Sequence, residues 1–97
     1  NFCLTGDRGT LRQIATLSDS DSGRSMKLFS TEAGLQFYLC QHFTADMKTE
    51  DGVSLHKSAG IALEPQTWPD SPNRPDFPSP WLKPSETYQH VIEWEFS

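Results

Sequence analysis

The amino-acid sequence predicts an all-β fold, and two observations carry that prediction. Short apolar runs rich in β-branched and aromatic residues are separated by clusters of Gly, Ser, Asp and Pro, the pattern typical of a β-sandwich. No heptad repeat or long amphipathic helix is sustained anywhere in the chain. We therefore expect short strands, joined by turns, that pack as layers of sheet.

The first half of the chain contains four predicted strands. Residues 2–5 form the first. Residues 11–17 form the second, although the spacing of their apolar side chains would also suit a helical turn. The polar segment 18–23 then turns the chain into residues 24–31, so the second and third strands predict a hairpin. Residues 35–40 give the strongest strand signal of this half.

Gln36 is the one polar residue that interrupts the fourth predicted strand. The two-residue period of a strand places it on the face opposite Leu35, Phe37 and Leu39. A structural interpretation is an amide hydrogen-bonded on a half-exposed face. A functional interpretation is an amide that binds a ligand in a cleft, and the strand pattern alone leaves both open.

The second half of the chain alternates loops with two predicted strands. Residues 41–59 are polar and predict a long loop, and residues 60–63 predict a short buried strand that ends at Glu64. Residues 87–96 alternate cleanly and predict a final strand covered on one side. The loop after Glu64 is stiffened by prolines at every third position, which exclude helix and central strand: Pro69, Pro72, Pro75 and Pro78.

Two interpretations of Glu64 follow from its position at a strand end. An edge glutamate commonly pairs with a lysine or arginine and serves only structure. A carboxylate held between an apolar strand and a rigid loop could instead act as a general base. The spaced prolines after it could also present a polyproline II edge to an SH3-type domain.

The composition excludes several classes of partner. The hydrophobic fraction of 35% in 97 residues is low for a self-sufficient core, so we do not expect the chain to fold alone. A net charge of −5 without a Lys/Arg cluster argues against nucleic acid and anionic membranes as partners. No apolar run is long enough for a membrane helix, and no signal sequence is evident, so we expect a soluble protein.

The two cysteines indicate a compartment. Cys3 and Cys40 each lie in an apolar strand-like run, and two are too few for a disulfide framework. We expect buried reduced thiols, which favour a reducing environment such as the cytoplasm.

A metal site is not expected. The turn that begins at Asp19 resembles the start of an EF-hand loop, but Gly23 and Ser30 stand at the fifth and twelfth positions, where oxygen ligands are required. The histidines have separations that fit no common zinc pattern; they are His42, His56 and His90.

Four motifs in order resemble the C-terminal part of the aldose 1-epimerase (galactose mutarotase) family. They are Ser-Thr-Glu-Ala-Gly-Leu-Gln-Phe-Tyr at 30–38, Ser-Ala-Gly-Ile-Ala-Leu-Glu-Pro-Gln at 58–66, Pro-Asp-Ser-Pro-Asn with Phe-Pro at 69–78, and Leu-Lys-Pro-Ser-Glu-Thr-Tyr at 82–88. The opening Asn-Phe also resembles the family, in which an Asp-His pair precedes it. We therefore expect residues 1–97 to be the C-terminal segment of a single catalytic domain, a large antiparallel β-sandwich.

The resemblance implies an enzyme that interconverts the α and β anomers of free hexoses such as glucose and galactose, without metal or organic cofactor. It implies that Glu64 is the base acting on the anomeric hydroxyl and that Gln36 binds the sugar. It also implies that the acid is a histidine of the N-terminal segment, which this chain would need as a partner for activity.

The sequence departs from the family pattern at two places. Ala33 stands where the family usually has proline, and Leu-Cys-Gln at 39–41 replaces the common Thr-Gly-Asn. These changes leave the base in place and alter the expected wall of the sugar site. The alternative from another functional class is a sugar-binding or scaffolding relative that keeps the fold without the reaction.

Overall fold

The computed structural model describes residues 1–97 and contains two three-stranded antiparallel sheets. The all-β prediction is confirmed, since the one helical element is a single 3₁₀ turn, Ser71–Asn73. No helix has the length and apolar character needed to cross a membrane. The strands are β1 (Phe2–Cys3), β2 (Arg12–Ser18), β3 (Ser25–Ser30), β4 (Gly34–Tyr38), β5 (Ala62–Gln66) and β6 (Ile92–Phe96).

The first sheet has the order β1, β4, β5, with β4 in the centre. β5 was expected to end at Glu64, but it continues through Pro65 to Gln66, and Pro65 lies opposite Leu35. The prolyl ring is accommodated because β5 is an edge strand, where a missing N–H need not break a ladder. Ile61, expected in this buried strand, lies outside it and is exposed.

The second sheet has the order β2, β3, β6 and contains the predicted hairpin. A bulge at Ile14 interrupts the pairing of β2 with β3, between the pairs Gln13–Phe29 and Ala15–Leu28. A bulge adds one residue to a strand and shifts the side-chain period. This shift explains why the apolar spacing of residues 11–17 also resembled a helical turn.

The final strand is shorter than predicted. β6 begins at Ile92, whereas residues 87–91 approach β3 through isolated contacts. The Thr31 amide donates to the Val91 carbonyl at 3.2 Å, and His90 Nε2 lies 3.1 Å from Ser30 Oγ. All five residues of β6 are exposed, so the expected cover on one face is not provided by this chain.

The proline-rich segment is held against the first sheet. Pro72 lies within the 3₁₀ turn, which the sequence did not predict; proline is tolerated in a first helical turn because its missing N–H has no partner there. The side chain of Ser71 is buried, and its hydroxyl donates to the Trp68 carbonyl at 2.6 Å. The ring of Phe77 packs edge-on against Trp68, with centroids 5.1 Å apart. A segment anchored in this way is unlike a free polyproline II ligand.

The interior is small for a chain of this size. The fully buried apolar side chain is Leu28, and the other buried apolar residues are Ala33, Leu35 and Cys40. Cys40 is a free buried thiol as predicted, but Cys3 is exposed, because it lies in a two-residue strand on the outer edge of the first sheet.

Candidate active site

The first sheet has one apolar and one polar face. Its apolar face lines a groove of about 440 Å³ toward β2, with Leu35, Phe37, Leu63, Ile14 and Leu17 among the lining residues. The opposite face receives the alternate residues of β4 and β5. The sequence alternation therefore aims the polar side chains of these strands away from the groove.

Gln36 and Glu64 form a directly opposed pair at the centre of the polar face. β4 and β5 are antiparallel, and Gln36 is the register partner of Glu64. Directly opposed side chains have Cβ atoms about 4.5–5.5 Å apart. Residues 28 positions apart in sequence are thus held within reach of one small ligand.

Glu64 is available for chemistry. Its side chain is exposed, and it belongs to none of the four salt bridges in the chain. The structural interpretation, an edge glutamate paired with a cation, is therefore not what the structure shows. Gln36 is half-buried, and its amide nitrogen donates only to the neighbouring Phe37 carbonyl, at 3.3 Å.

Trp68 closes one end of the polar face. Its indole Nε1 donates to the Ala33 carbonyl at 2.7 Å, just before β4 begins. A Cβ atom on Gly34 would lie 2.8 Å from Trp68 Cδ1, so glycine permits this approach. Gln66, which lies opposite Gly34, donates from Nε2 to Asn1 Oδ1 at 3.3 Å. The start of β4 and the end of β5 are fixed together next to the Gln36–Glu64 pair.

A buried carboxylate, Glu32, lies just before β4, where the sequence predicted only a turn. Glu32 is only 1% exposed to solvent. Oε2 lies 3.3 Å from Arg8 Nε, and Tyr88 donates its hydroxyl to Oε1. Thr67, the residue after β5, donates to Oε2 at 3.4 Å. Glu32 thereby joins three segments that are distant in sequence.

The surroundings of Glu32 keep it ionised. Burial alone raises the pKa of the carboxyl group, but the hydrogen bond from Tyr88 and the charge of Arg8 outweigh burial, and the pKa of Glu32 lies below its usual value. Burial and the bond to Glu32 raise the pKa of Tyr88. This cluster borders a cleft of about 690 Å³ that also contains Trp81 and Glu86.

Glu32 was missed because a single polar residue between two strands resembles an ordinary exposed turn. The one signal in the sequence is that Glu32 directly follows two other polar residues, Ser30 and Thr31. All three are buried in the structure. The Ser30 hydroxyl accepts from the Glu32 amide at 3.0 Å, and Arg12 donates to the Glu32 carbonyl at 2.9 Å. No buried side-chain polar atom of this turn lacks a hydrogen-bond partner.

The histidines do not join the Gln36–Glu64 pair through any observed bond. His42 stacks on Tyr38 with ring centroids 6.1 Å apart, and His90 contacts Ser30. His56 lies in the 41–59 loop, where its carbonyl accepts from the Ala59 amide. No group of three His, Cys, Asp or Glu side chains is arranged to hold a metal ion.

Comparisons with known proteins agree with the resemblance in the motifs. The sequence profile of the aldose 1-epimerase family matches residues 1–95. The chain is 38% identical to the galactose mutarotase of Bos taurus and 36% identical to that of Homo sapiens, over 97 residues in each case. It is 33% identical to the aldose 1-epimerase of Escherichia coli (strain K12), with 98% of this chain covered.

The chain spans 28% of the length of each of these relatives, and its own length is covered completely by the two mammalian matches. The match includes both strands of the candidate site and the segments that hold them. Profile, relatives and the ordered motifs all point to the same group of proteins. The chain belongs to the aldose 1-epimerase family.

Proposed function

We propose that this chain supplies the base and part of the sugar site of an aldose 1-epimerase that interconverts the α and β anomers of free hexoses. The observation that carries the proposal is the opposed pair of Gln36 and Glu64 on the polar face of the first sheet. Glu64 is the general base, and Gln36 binds sugar hydroxyls. An exposed carboxylate without an ion-pair partner beside an amide suits a neutral, hydroxyl-rich substrate.

The reaction needs two proton transfers at neighbouring oxygens. Glu64 takes the proton from the anomeric hydroxyl, whose oxygen becomes the carbonyl oxygen of the open chain as the bond from the anomeric carbon to the ring oxygen breaks. An acid protonates the ring oxygen in the same step. Rotation about the first carbon–carbon bond then turns the carbonyl group. The two proton transfers run in reverse, the ring closes as the other anomer, and the base and the acid regain their starting protonation states.

The acid is proposed to be a histidine outside this chain, on the N-terminal segment of the same β-sandwich domain. No histidine of the chain occupies a family motif for the acid, and none contacts Glu64. The uncovered apolar groove and the exposed strand β6 support further strands packing on this chain, with the polar face left open to the sugar. The proposal includes a reducing, cytoplasmic location, supported by two cysteines that form no disulfide.

The test follows the optical rotation of freshly dissolved α-glucose and α-galactose with the full-length protein and its Glu64→Gln variant. We expect wild-type protein to accelerate relaxation and Glu64→Gln to abolish the acceleration, while hexose binding by calorimetry is retained. Hexose binding without acceleration by the wild-type protein would instead identify a sugar-binding relative. Glu93→Gln, an exposed carboxylate of β6, is the matched control and should behave as wild type.

A further inference from the structure

We propose that Tyr38, held by His42, forms an apolar wall of the sugar site, against which the C–H face of the bound hexose packs. The inference rests on the proposed function, because it names a further binding residue of the same site. It begins with register: Tyr38 lies two residues beyond Gln36 on β4 and therefore on the same face. Two residues along a strand correspond to about 6.6–6.8 Å, roughly the width of a pyranose ring.

The cross-strand partner of Tyr38 has a small side chain. Tyr38 lies opposite Ala62, just as Gln36 lies opposite Glu64. A methyl group covers less of a neighbouring phenol ring than a larger side chain would. Tyr38 is half-buried, and it is the aromatic residue of β4 that shares a face with Gln36.

A sharp turn brings the ring of His42 next to that of Tyr38. Cys40 has a positive φ of 51°, and its carbonyl accepts from the Phe43 amide at 3.2 Å. The chain reverses here, and the imidazole of His42 stacks on the phenol with an interplanar angle of 28°. The Cys40 carbonyl also accepts from the Ser58 amide at 3.4 Å, which ties both ends of the 41–59 loop to the turn.

The arrangement matches the chemistry of a hexose. Its hydroxyls form hydrogen bonds with amides and carboxylates, which Gln36 and Glu64 provide. Its axial C–H groups form an apolar patch that packs on aromatic rings, which are broad and lose little conformational freedom on binding. A rigid aromatic ring two residues along β4 from Gln36, the partner of Glu64, would hold the anomeric carbon beside Glu64.

The experiment measures KM and kcat for mutarotation, and the hexose Kd in the Glu64→Gln background, for Tyr38 and His42 variants of the full-length protein. Tyr38→Phe, the conservative variant, retains the ring and should recover the hexose affinity that Tyr38→Leu loses. Tyr38→Leu should raise KM and Kd about tenfold with kcat changed less than about twofold, since tenfold corresponds to about 1.4 kcal/mol of lost contact. Leu is chosen because it stays apolar and large, which limits the loss of packing to the aromatic contact.

His42→Ala should raise KM about threefold by loosening the ring, and His56→Ala, in the same loop, is the control and should change nothing. If the Tyr38→Leu variant has the KM and the hexose Kd of the wild type, Tyr38 does not bind the sugar. A fall in kcat alone would also overturn the proposal, since it would make Tyr38 a residue of the chemical step. Failure of the proposed function is a separate result, namely a wild-type protein that does not accelerate mutarotation.

Discussion

Gly34 lies where the Trp68 side chain packs closely on β4 beside the candidate site. A Cβ atom there would lie 2.8 Å from Trp68 Cδ1 and 3.0 Å from the Gln66 carbonyl oxygen. We expect Gly34→Ala to lower the free energy of unfolding of the full-length protein by about 1–3 kcal/mol, the usual cost of overpacking. Urea denaturation measures it. Gly60→Ala is the control, because its nearest contact, Cys40 Sγ, is at an ordinary 3.4 Å; equal losses in both variants would contradict the packing account.

We expect Glu32 to make the stability of this region depend on pH, because its folded pKa is lowered. We expect Glu32→Gln to lower the free energy of unfolding by about 2 kcal/mol at pH 7, because it removes the charge from a buried bond network with Arg8 and Tyr88. The folded pKa of Glu32 is lowered. Its contribution is therefore complete above the unfolded value near 4.5 and is lost as pH falls through the lower folded value.

The measurement is urea denaturation of the wild type and Glu32→Gln between pH 7 and pH 3. The difference between their free energies of unfolding should shrink as the pH falls. Glu95→Gln serves as a control, because its salt bridge with Lys27 is exposed on both sides and contributes less than about 1 kcal/mol. A gap that stays constant with pH would show that ionised Glu32 is not the source of the stabilisation.

Among the residues, the sequence singled out Glu64 and Gln36, but it predicted neither that they lie opposite each other nor the buried Glu32 beside them. Glu64 stands out because a carboxylate follows an apolar strand, and Gln36 because it interrupts one. Glu32 does not stand out, since its burial depends on Arg8 and Tyr88, which lie 24 and 56 residues away. Long-range pairing of this kind leaves no periodic signal in the chain.

Among the elements, the 41–59 loop contains a small hairpin of its own. Lys48 and Ser54 form a bridge, and the Leu55 amide donates to the Met47 carbonyl at 2.8 Å. The backbone bonds of its tip, residues 49–53, stay within the hairpin. It therefore adds little to the stability of the sheets.

We expect replacement of residues 49–53 by Asn-Gly to change the free energy of unfolding by less than about 0.6 kcal/mol, because a two-residue turn closes the same bridge and loop length has a small entropic effect. Thermal denaturation and mutarotation kinetics of the full-length protein measure it. Lost activity with unchanged stability would show that the tip takes part in the site.

Strand bounds were predicted well where neighbours in sequence also pair in space. The β2–β3 hairpin is an example, and its bulge at Ile14 explains the one ambiguous pattern. β6 was predicted too long because residues 88 and 90 alternate like strand residues but use their side chains to contact Glu32 and Ser30. Periodicity alone does not distinguish a ladder from side-chain contacts.

At the scale of the molecule, the chain exposes more surface than a folded protein of its mass. Its accessible surface is 7185 Å², whereas a folded monomer of 11.0 kDa exposes about 5,600 Å². Its radius of gyration is 16.6 Å, against about 12.5 Å for a compact domain of this length. The low apolar fraction predicted an insufficient core, but only the structure shows the groove and β6 as the uncovered surfaces.

We expect residues 1–97 alone to unfold over a broad range of urea and to bind a hydrophobic dye, because the apolar groove and the face of β6 lack cover. The full-length protein should unfold cooperatively without binding the dye. A sharp transition and no dye binding by the isolated chain would contradict the expectation that its core is completed elsewhere.

We propose Glu64, held opposite Gln36, as the base of an anomer-interconverting site. The most direct test is kcat for α-glucose mutarotation by full-length Glu64→Gln protein. We predict a loss of about 10²–10⁴-fold, the usual contribution of a general base, with a KM close to that of the wild type. A Glu64→Gln protein that retains the wild-type kcat would contradict the account.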